Sequence, residues 1–316
     1  MYCILASQFR EKFYLAKKIR DVVYELTNKE CTVLTIHKNV NISTIVRKLK
    51  RRKVTYLIPT YDTSTLWMAK HQDILKREGF RFIISKQSTL ETLDDKSTSY
   101  EFLRNKILMP DTFTVDTDLC REKVTRWSDK YSFPQYFKIP SGTVSGKGVT
   151  KITNKEGLVE VLDTVFGDNE RRKYIIQQGI PGKIINCQCI YNEGVLTGLF
   201  SSVTESENVQ GLLVHDNPYM HPRLTSILKY LGKISGFSGL LDCEFLLYKH
   251  KHYLMEINPR MSGGVFMVFE FGIGFFEKYL DLITGSKVVP KMQDFSPENV
   301  ELKMYNRLLS LRSIVA

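Results

Sequence analysis

Within residues 239–264, GLLDCEFLLYKHKHYLMEINPRMSGG, acidic, amide and guanidinium side chains recur at the spacing of an extended chain. Asp242 and Glu244 alternate with Leu241, Cys243, Phe245 and Leu247, the period-2 pattern of a strand with one polar face. Glu256, Asn258 and Arg260 alternate with Met255 and Ile257, and the polar link around His250 and Lys251 makes the two runs an antiparallel hairpin. Register decides what these residues can do. Pairs that sum to 500, a three-residue loop, put Glu244 opposite Glu256 on one face. A slip of one residue would send them to opposite faces. Two carboxylates and a carboxamide oxygen on one surface are hard ligands, suited to Mg²⁺ and the phosphates it carries. The glutamates alone read equally well as the solvated face of an edge hairpin. The ending EINPRMSGG weighs for a site, because a strand that stops at Asn-Pro-Arg and runs into Ser262, Gly263 and Gly264 allows close backbone approach.

A second segment, QYFKIPSGTVSGKGVTKI at 135–152, pairs a strand ending in Lys138 with a glycine loop and a further strand. Gly142, Gly146 and Gly148 stand among the hydroxyls of Ser141 and Ser145. The loop is not a Walker A motif: Gly142 to Gly146-Lys147 is one residue short, and Gly148 occupies the Mg²⁺-binding Ser/Thr position. Its glycines let backbone N–H groups approach phosphate oxygens. Taken alone it reads as a mobile hairpin loop.

Together these segments resemble the ATP-grasp superfamily, and within it the single modules related to the carbamoyl-phosphate synthase large subunit, over nearly the whole chain. The resemblance implies an α/β fold (α+β in the C-terminal part) with an N-terminal Rossmann-like pre-ATP-grasp domain at 1–92. A small subdomain with a glycine-rich flap would follow at 93–180, and a C-terminal subdomain with the Mg/phosphate site at 181–316. By the same resemblance Glu244, Glu256 and Asn258 bind Mg²⁺, for which Mn²⁺ could substitute. Arg260 steadies the transferring phosphoryl group or acyl phosphate, and Ser262, Gly263 and Gly264 help receive the carboxylate substrate. Lys96, in DDKSTSYEFLRNKILMP, reaches the ATP phosphates, and Lys138 contacts the α-phosphate region. Ser141, Gly142, Ser145, Gly146, Lys147 and Gly148 belong to the flap over the β- and γ-phosphates.

The main chain of YIIQQGIPG, around Gln177, Gln178 and Ile180, would hold the adenine edge. Here the chain departs from the family pattern. The usual acid is replaced by Gln177 or Gln178, and Lys183 or Ile184 stands where an acid grips the ribose. The activity implied is an ATP-dependent carboxylate–amine ligase working through an acyl phosphate and releasing ADP and phosphate. With one half's worth of motifs, the chain resembles stand-alone ligases, such as amino-acid ligases and the pyrrolysine-pathway ligase, more closely than a complete carbamoyl-phosphate synthase. A kinase and a nucleotide-binding protein without catalysis are the alternatives.

The elements that must position these groups begin with an alternation of strands and helices over 1–85. Apolar runs at 2–6, 32–36, 54–59 and 81–84 are separated by amphipathic stretches near 9–28, 43–52 and 64–78, the rhythm of a small α/β unit with a parallel sheet. Ala6-Ser7-Gln8-Phe9 stands in place of G-x-G-x-x-G, which disfavours a dinucleotide site. Pro59-Thr60-Tyr61-Asp62 resembles a turn of the family's leading domain, where Asp62 reads either as a cleft border or as a cap. A helix is predicted from near Leu93, with Asp94 and Asp95 in its first turn, to before Met109-Pro110. Strands at 183–191 and 194–204 are followed by a polar candidate substrate loop at 205–218. In it His215 and Asp216 read as proton-transfer or surface groups. A helix near 221–236 precedes the hairpin, where His250 and His252 are predicted to be solvent-exposed. The stretch 265–316 reads as helical and then irregular.

With 316 residues, 43% of them hydrophobic, the chain can bury a good core in two or three structural units. No apolar run approaches the ~20 residues of a membrane span, and the N-terminus reads as a first strand, not a signal peptide. Six scattered cysteines without a C-x-x-C fit reduced thiols in the cytoplasm and disfavour zinc. The net charge of +11 is distributed, which suits phosphate handling and disfavours nucleic acid as a partner. The expected partners are a small carboxylate and an amine, no membrane, and a second copy of the chain in a homodimer, as is common among relatives.

Overall fold

A computed structural model describes residues 1–7, 10–37, 40–116, 121–140, 148–167, 173–207, 213–218, 221–262, 264–265, 268–269 and 274–286. The chain forms two compact units, Met1–Ile84 with Met261–Ala316, and Ser85–Arg260.

In the first unit, β1 (Tyr2–Ser7), β2 (Cys31–Ile36) and β3 (Tyr56–Pro59) make a parallel sheet in the order β2-β1-β3. Parallel neighbours need crossovers, supplied by α1 (Arg10–Thr27) and α2 (Ile42–Arg51); α3 (Tyr61–Lys70) and α4 (Gln72–Arg77) follow β3. Residues 2–6 of the central strand are fully buried, as expected of a strand covered on both faces. Cys3 and Leu5 pack with Ile45, Leu49, Trp67 and Leu75. Two expectations need correction. Residues 81–84 do not form a fourth strand; only Arg81 bridges Tyr56. The stretch 64–78 is two helices, broken at His71 (φ −111°, ψ 13°). Asp62 lies in the first turn of α3, where negative charge meets the helix N-terminus, and the turn before it is fixed by Thr60 Oγ1 donating to Leu5 O at 2.9 Å. A further helix, Phe275–Thr284, buries Phe275, Phe276, Tyr279, Leu280 and Ile283 and ends at left-handed Gly285.

The second unit carries two antiparallel sheets. α5 (Gln87–Asp94) and α6 (Lys96–Leu103) lead to β4 (Thr112–Asp116), α7 (Arg121–Ser128), β5 (Gln135–Lys138), β6 (Val149–Ile152), α8 (Lys155–Gly167) and β7 (Lys173–Gln178). Those strands pair in the order β4-β7-β5-β6. One face buries Val115, Phe137, Tyr174 and Ile176 with Val124, Trp127, Leu158 and Leu162 of α7 and α8. The other carries Thr112, Lys138 and Gln177. The helix predicted from near Leu93 to before Met109 is α6, which starts at Lys96 and ends at Leu103, while α5 ends at Asp94. Asp95 adopts extended geometry (φ −83°, ψ 121°), and its carboxylate accepts from the N–H groups of Ser97 and Thr98, both at 2.9 Å, to cap α6.

The second sheet runs β10-β9-β8-β11-β12, built from β8 (Lys183–Asn192), β9 (Val195–Glu207), β10 (Leu213–Pro218), β11 (Gly239–Tyr248) and β12 (Lys251–Asn258), with α9 (Pro222–Ser235) between β10 and β11. The segment read as a substrate loop is therefore largely strand, since β10 pairs with the end of β9. Across β8, β11 and β12, opposite residues form two polar rows on one face: Asn186–Glu244–Glu256 and Gln188–Asp242–Asn258. The opposite face carries Cys187, Cys189, Tyr191, Cys243 and Phe245, all fully buried, with Tyr191 Oη donating to Leu228 O of α9 at 2.9 Å.

The hairpin reaches its register by an unexpected route. Its loop has two residues, Lys249 and His250, not three; both have positive φ (46° and 61°), as a type I′ turn requires. Pairing from Tyr248↔Lys251 to Phe245↔Leu254 would have placed Glu244 opposite Met255. A bulge at Met255 absorbs one residue and sets Glu244 opposite Glu256 and Asp242 opposite Asn258. Lys and His are strained in left-handed geometry that Asn-Gly adopts readily. The double change Lys249→Asn/His250→Gly is therefore expected to raise unfolding free energy by about 1 kcal/mol, read as a higher urea midpoint at unchanged slope; a lower midpoint would contradict the turn assignment.

Candidate functional site

The polar rows of β11 and β12 bring together every described residue assigned to metal binding. Glu244 and Glu256 stand opposite each other, both half-buried. Asn258, one row away, offers Oδ1 to Arg260 Nη2 at 3.1 Å and donates Nδ2–H to Asp242 Oδ2 at 3.2 Å. Burial, then the Glu256 charge, then that of Asp242 push the Glu244 carboxyl up to about 8, while Lys138 and Lys96 pull it down. Carboxylates crowded in this way, beside an amide oxygen, are a donor set that a divalent cation relieves. Among the described residues no three His, Cys, Asp or Glu side chains form a self-sufficient cage.

Three cations face this set. Lys96, the first residue of α6, is placed by the Asp95 cap and by its own N–H donating to Pro140 O at 3.0 Å; its Nζ lies 3.2 Å from Glu256 Oε1. Lys138 is 5% exposed, and its ammonium donates to Gln177 Oε1 at 2.7 Å. Burial lowers its pKa, Glu256 and Glu244 oppose that shift, and Lys96 adds to it. Arg260 is buried beside Asn258. Lys96 thus meets Glu256, Lys138 meets Gln177 and Arg260 meets Asn258, all within the second unit.

The glutamines divide their work. Gln177 is buried; its Oε1 holds Lys138 and its Nε2–H donates to Thr112 Oγ1 at 3.0 Å, which in turn donates to Pro110 O at 3.0 Å. Its side chain serves Lys138 and the sheet. Gln178 extends the pairing, its N–H donating to Asp111 O at 2.8 Å. Gly179 needs to be glycine, because a Cβ there would lie 2.0 Å from Pro134 O. Ile180 is half-buried just beyond.

Of the flap, Ser141, Gly142, Ser145, Gly146 and Lys147 lie outside the described residues. Gly148 has φ +79° and accepts from Ile139 N–H at 3.0 Å, closing the base of the loop. Gly263 also lies outside them. Ser262 is buried, and its Oγ accepts from Gly264 N–H at 3.2 Å. The side chains of His215 and Asp216 fall outside the description. His250 is exposed as predicted, but His252 is 3% exposed, its ring 4.9 Å from that of His221, the N-cap of α9. The alternation of β12 turns it inward. Two residues that sequence reasoning left out of the site are Asp242 and Gln188; their rows on β11 and β8 carried the signal.

No protein-family model matches the chain. It is 24% identical over 267 residues to the carbamoyl phosphate synthase large chain of Thermoplasma acidophilum, covering 75% of this chain and 24% of that one. The chain thus spans about a quarter of that relative's length. Among solved structures, the D-alanine–D-alanine ligase of Bacillus anthracis superposes with a TM-score of 0.64 at 18% identity, covering 90% of this chain and 96% of that one; its complex with ATP gives 0.63. The biotin carboxylase domain of the Hydrogenobacter thermophilus 2-oxoglutarate carboxylase, solved with MgADP, ADP and bicarbonate, gives 0.62 at 16% identity over 92% of this chain and 71% of that one. These neighbours are ATP-grasp proteins, and the likeness is one of fold. No helix among the described residues is long and apolar enough to cross a membrane.

A glutamate at about 8 in the folded chain favours folding while protonated and opposes it once ionised. Without metal or nucleotide, its contribution is full below the ordinary carboxyl range and lost as pH rises toward about 8. Glu244→Gln removes that penalty. At pH 8 in EDTA the variant is expected to melt about 2–4 °C above the wild type, worth ~1 kcal/mol, with the gap closing toward pH 5; a variant that melts lower at pH 8 would contradict the crowding.

Proposed function

We propose that this chain, which has the ATP-grasp fold, is an ATP-dependent ligase that joins a small carboxylate to an amine through an acyl phosphate, releasing ADP and phosphate. The observation that carries this reading is the bulged pairing of Glu244 with Glu256, with Asn258, Lys96, Lys138 and Arg260 within the same unit.

Glu244, Glu256 and the Asn258 amide oxygen would hold Mg²⁺. That ion, when bound, neutralises charge on the phosphates. The chain's own cations do the rest. Lys138, buried and held by a neutral amide, presents an ammonium to phosphate oxygens. Lys96 and Arg260 lie on Glu256 and Asn258 and would exchange those partners for the transferring phosphoryl group. Charge in that transfer is negative and spread over oxygens, so fixed donors in a partly dry site lower its barrier without reorganisation. The carboxylate attacks the γ-phosphorus and ADP leaves; the amine then attacks the acyl carbon and phosphate leaves with the bonding electrons. Ser262, Gly263 and Gly264 keep their assignment to the carboxylate, and the main chain at Gln178 and Ile180 its assignment to adenine, on their motifs. A cytoplasmic setting and a homodimer belong to the same reading.

ADP release is to be measured across pooled amino acids, with and without an added amine. Stimulation by a carboxylate–amine pair is expected; stimulation by one substrate alone indicates a kinase, and tight ATP binding without turnover a binding protein. Glu256→Gln is expected to lower substrate-dependent ADP release by about 10²-fold or more, on the scale of losing one electrostatic group from a phosphoryl-transfer site. Undiminished release would remove Glu256 from the mechanism.

A further inference from the structure

One row along β11 from Glu244 lies a carboxylate with no part in the mechanism above. Asp242 is 3% exposed. Its oxygens accept from two carboxamides, Gln188 Nε2–H on one strand and Asn258 Nδ2–H on the other. Carboxylate oxygens accept, and both amides turn their NH₂ toward Asp242. For Asn258 the consequence is specific. With Nδ2 fixed on Asp242, Oδ1 faces the opposite way, where Arg260 Nη2 meets it at 3.1 Å. A carboxamide has two ends of nearly equal size, and only the oxygen can ligate a cation. Free to rotate, Asn258 would offer NH₂ in some of its orientations.

We propose that Asp242 is a positioning residue that acts through Asn258: it locks the amide so that Oδ1, not Nδ2, faces the cation, and Gln188 holds Asp242 in turn. The inference rests on the functional reading above, in which Asn258 is a metal ligand. It separates two roles for the acids of β11. Glu244 meets the ion, whereas Asp242, one row further along the strand, sets the orientation of a neighbour that does.

The probe is ATP binding by calorimetry, titrated with Mg²⁺ and repeated in EDTA. Asp242→Ala is expected to raise the Mg²⁺ concentration for half-maximal ATP binding by about 10-fold, the scale of losing a group that orients a metal ligand. Affinity in EDTA should stay within about 2-fold. The decisive arm uses Asn258→Ala. In that background Asp242→Ala should add less than about 2-fold, because the amide it orients is gone. A purely electrostatic or structural role predicts the same loss in both backgrounds, or a matching loss in EDTA, and either result overturns the proposal; so does an unchanged Mg²⁺ dependence in the single variant. Asp242→Ser, smaller and still polar, carries the same test should the alanine variant not fold. If the wild type itself shows no Mg²⁺-dependent ATP binding, the functional reading fails first, which is a distinct outcome.

Discussion

Side chains directly opposite one another on neighbouring antiparallel strands have Cβ atoms about 5 Å apart, so the pairing of Glu244 with Glu256 forces two carboxylates into each other's field. Asp242, in the next row, adds a third. In a partly desolvated setting such repulsion is far stronger than in water, and it must be met by protons, by cations or by polar donors. The second unit uses all three. Glu244 holds its proton far above the usual carboxyl range. Glu256 takes Lys96. Asp242, the most buried, takes the NH₂ groups of two amides. Much of the unit's polar architecture follows from where the bulge at Met255 puts these three groups.

The same constraint explains why the cations and acids of this site are already paired with one another. Lys96 and Arg260 sit on the groups that would hold the metal, a self-neutralised arrangement that spares each charge the cost of standing alone. In the proposed reading a magnesium-bound triphosphate would offer both signs at once, with Glu256 and Asn258 holding the cation and Lys96 and Arg260 its oxygens. Binding would then be an exchange of partners within a fixed frame. Rigid elements carry that frame, with the Asp95 cap setting Lys96 and the β5–β7 pairing setting Lys138.

Much of this was legible in the sequence, because alternation along a strand and a polar ending such as EINPR are local signals. The pairing of Glu244 with Glu256 was anticipated, yet for a different reason: a three-residue loop was inferred where a two-residue loop and a bulge give the same partners. Bulges depend on twist and neighbours, and Met255 carries no mark that announces one. The break at Asp95 was hidden because acids favour both a helix first turn and a cap. Residues 81–84 have strand composition, but among the described residues only Arg81 finds a strand partner, at Tyr56. His252 looked exposed beside a turn, whereas strand alternation buried it. Asp242 was read as part of the polar face, but its work lies in contacts with β8 and β12 that no linear spacing encodes.

Gln177 shows how a departure from a family pattern can be read physically. An acid at that position would neutralise Lys138 at contact distance and leave less positive charge for a phosphate. The amide instead accepts from the ammonium at 2.7 Å and passes its own donor to Thr112, so the lysine is fixed in place and both ends of the buried amide are matched. The cost falls on Lys138 itself, whose burial lowers its affinity for a proton and is offset only by the more distant Glu256 and Glu244. In the proposed reading, a lysine held by a neutral partner and supported by acids that a metal would occupy is one whose charge would be most available to an anion. On that argument the glutamine would tune the proposed nucleotide site, and its presence weighs for that reading where the sequence alone left it open.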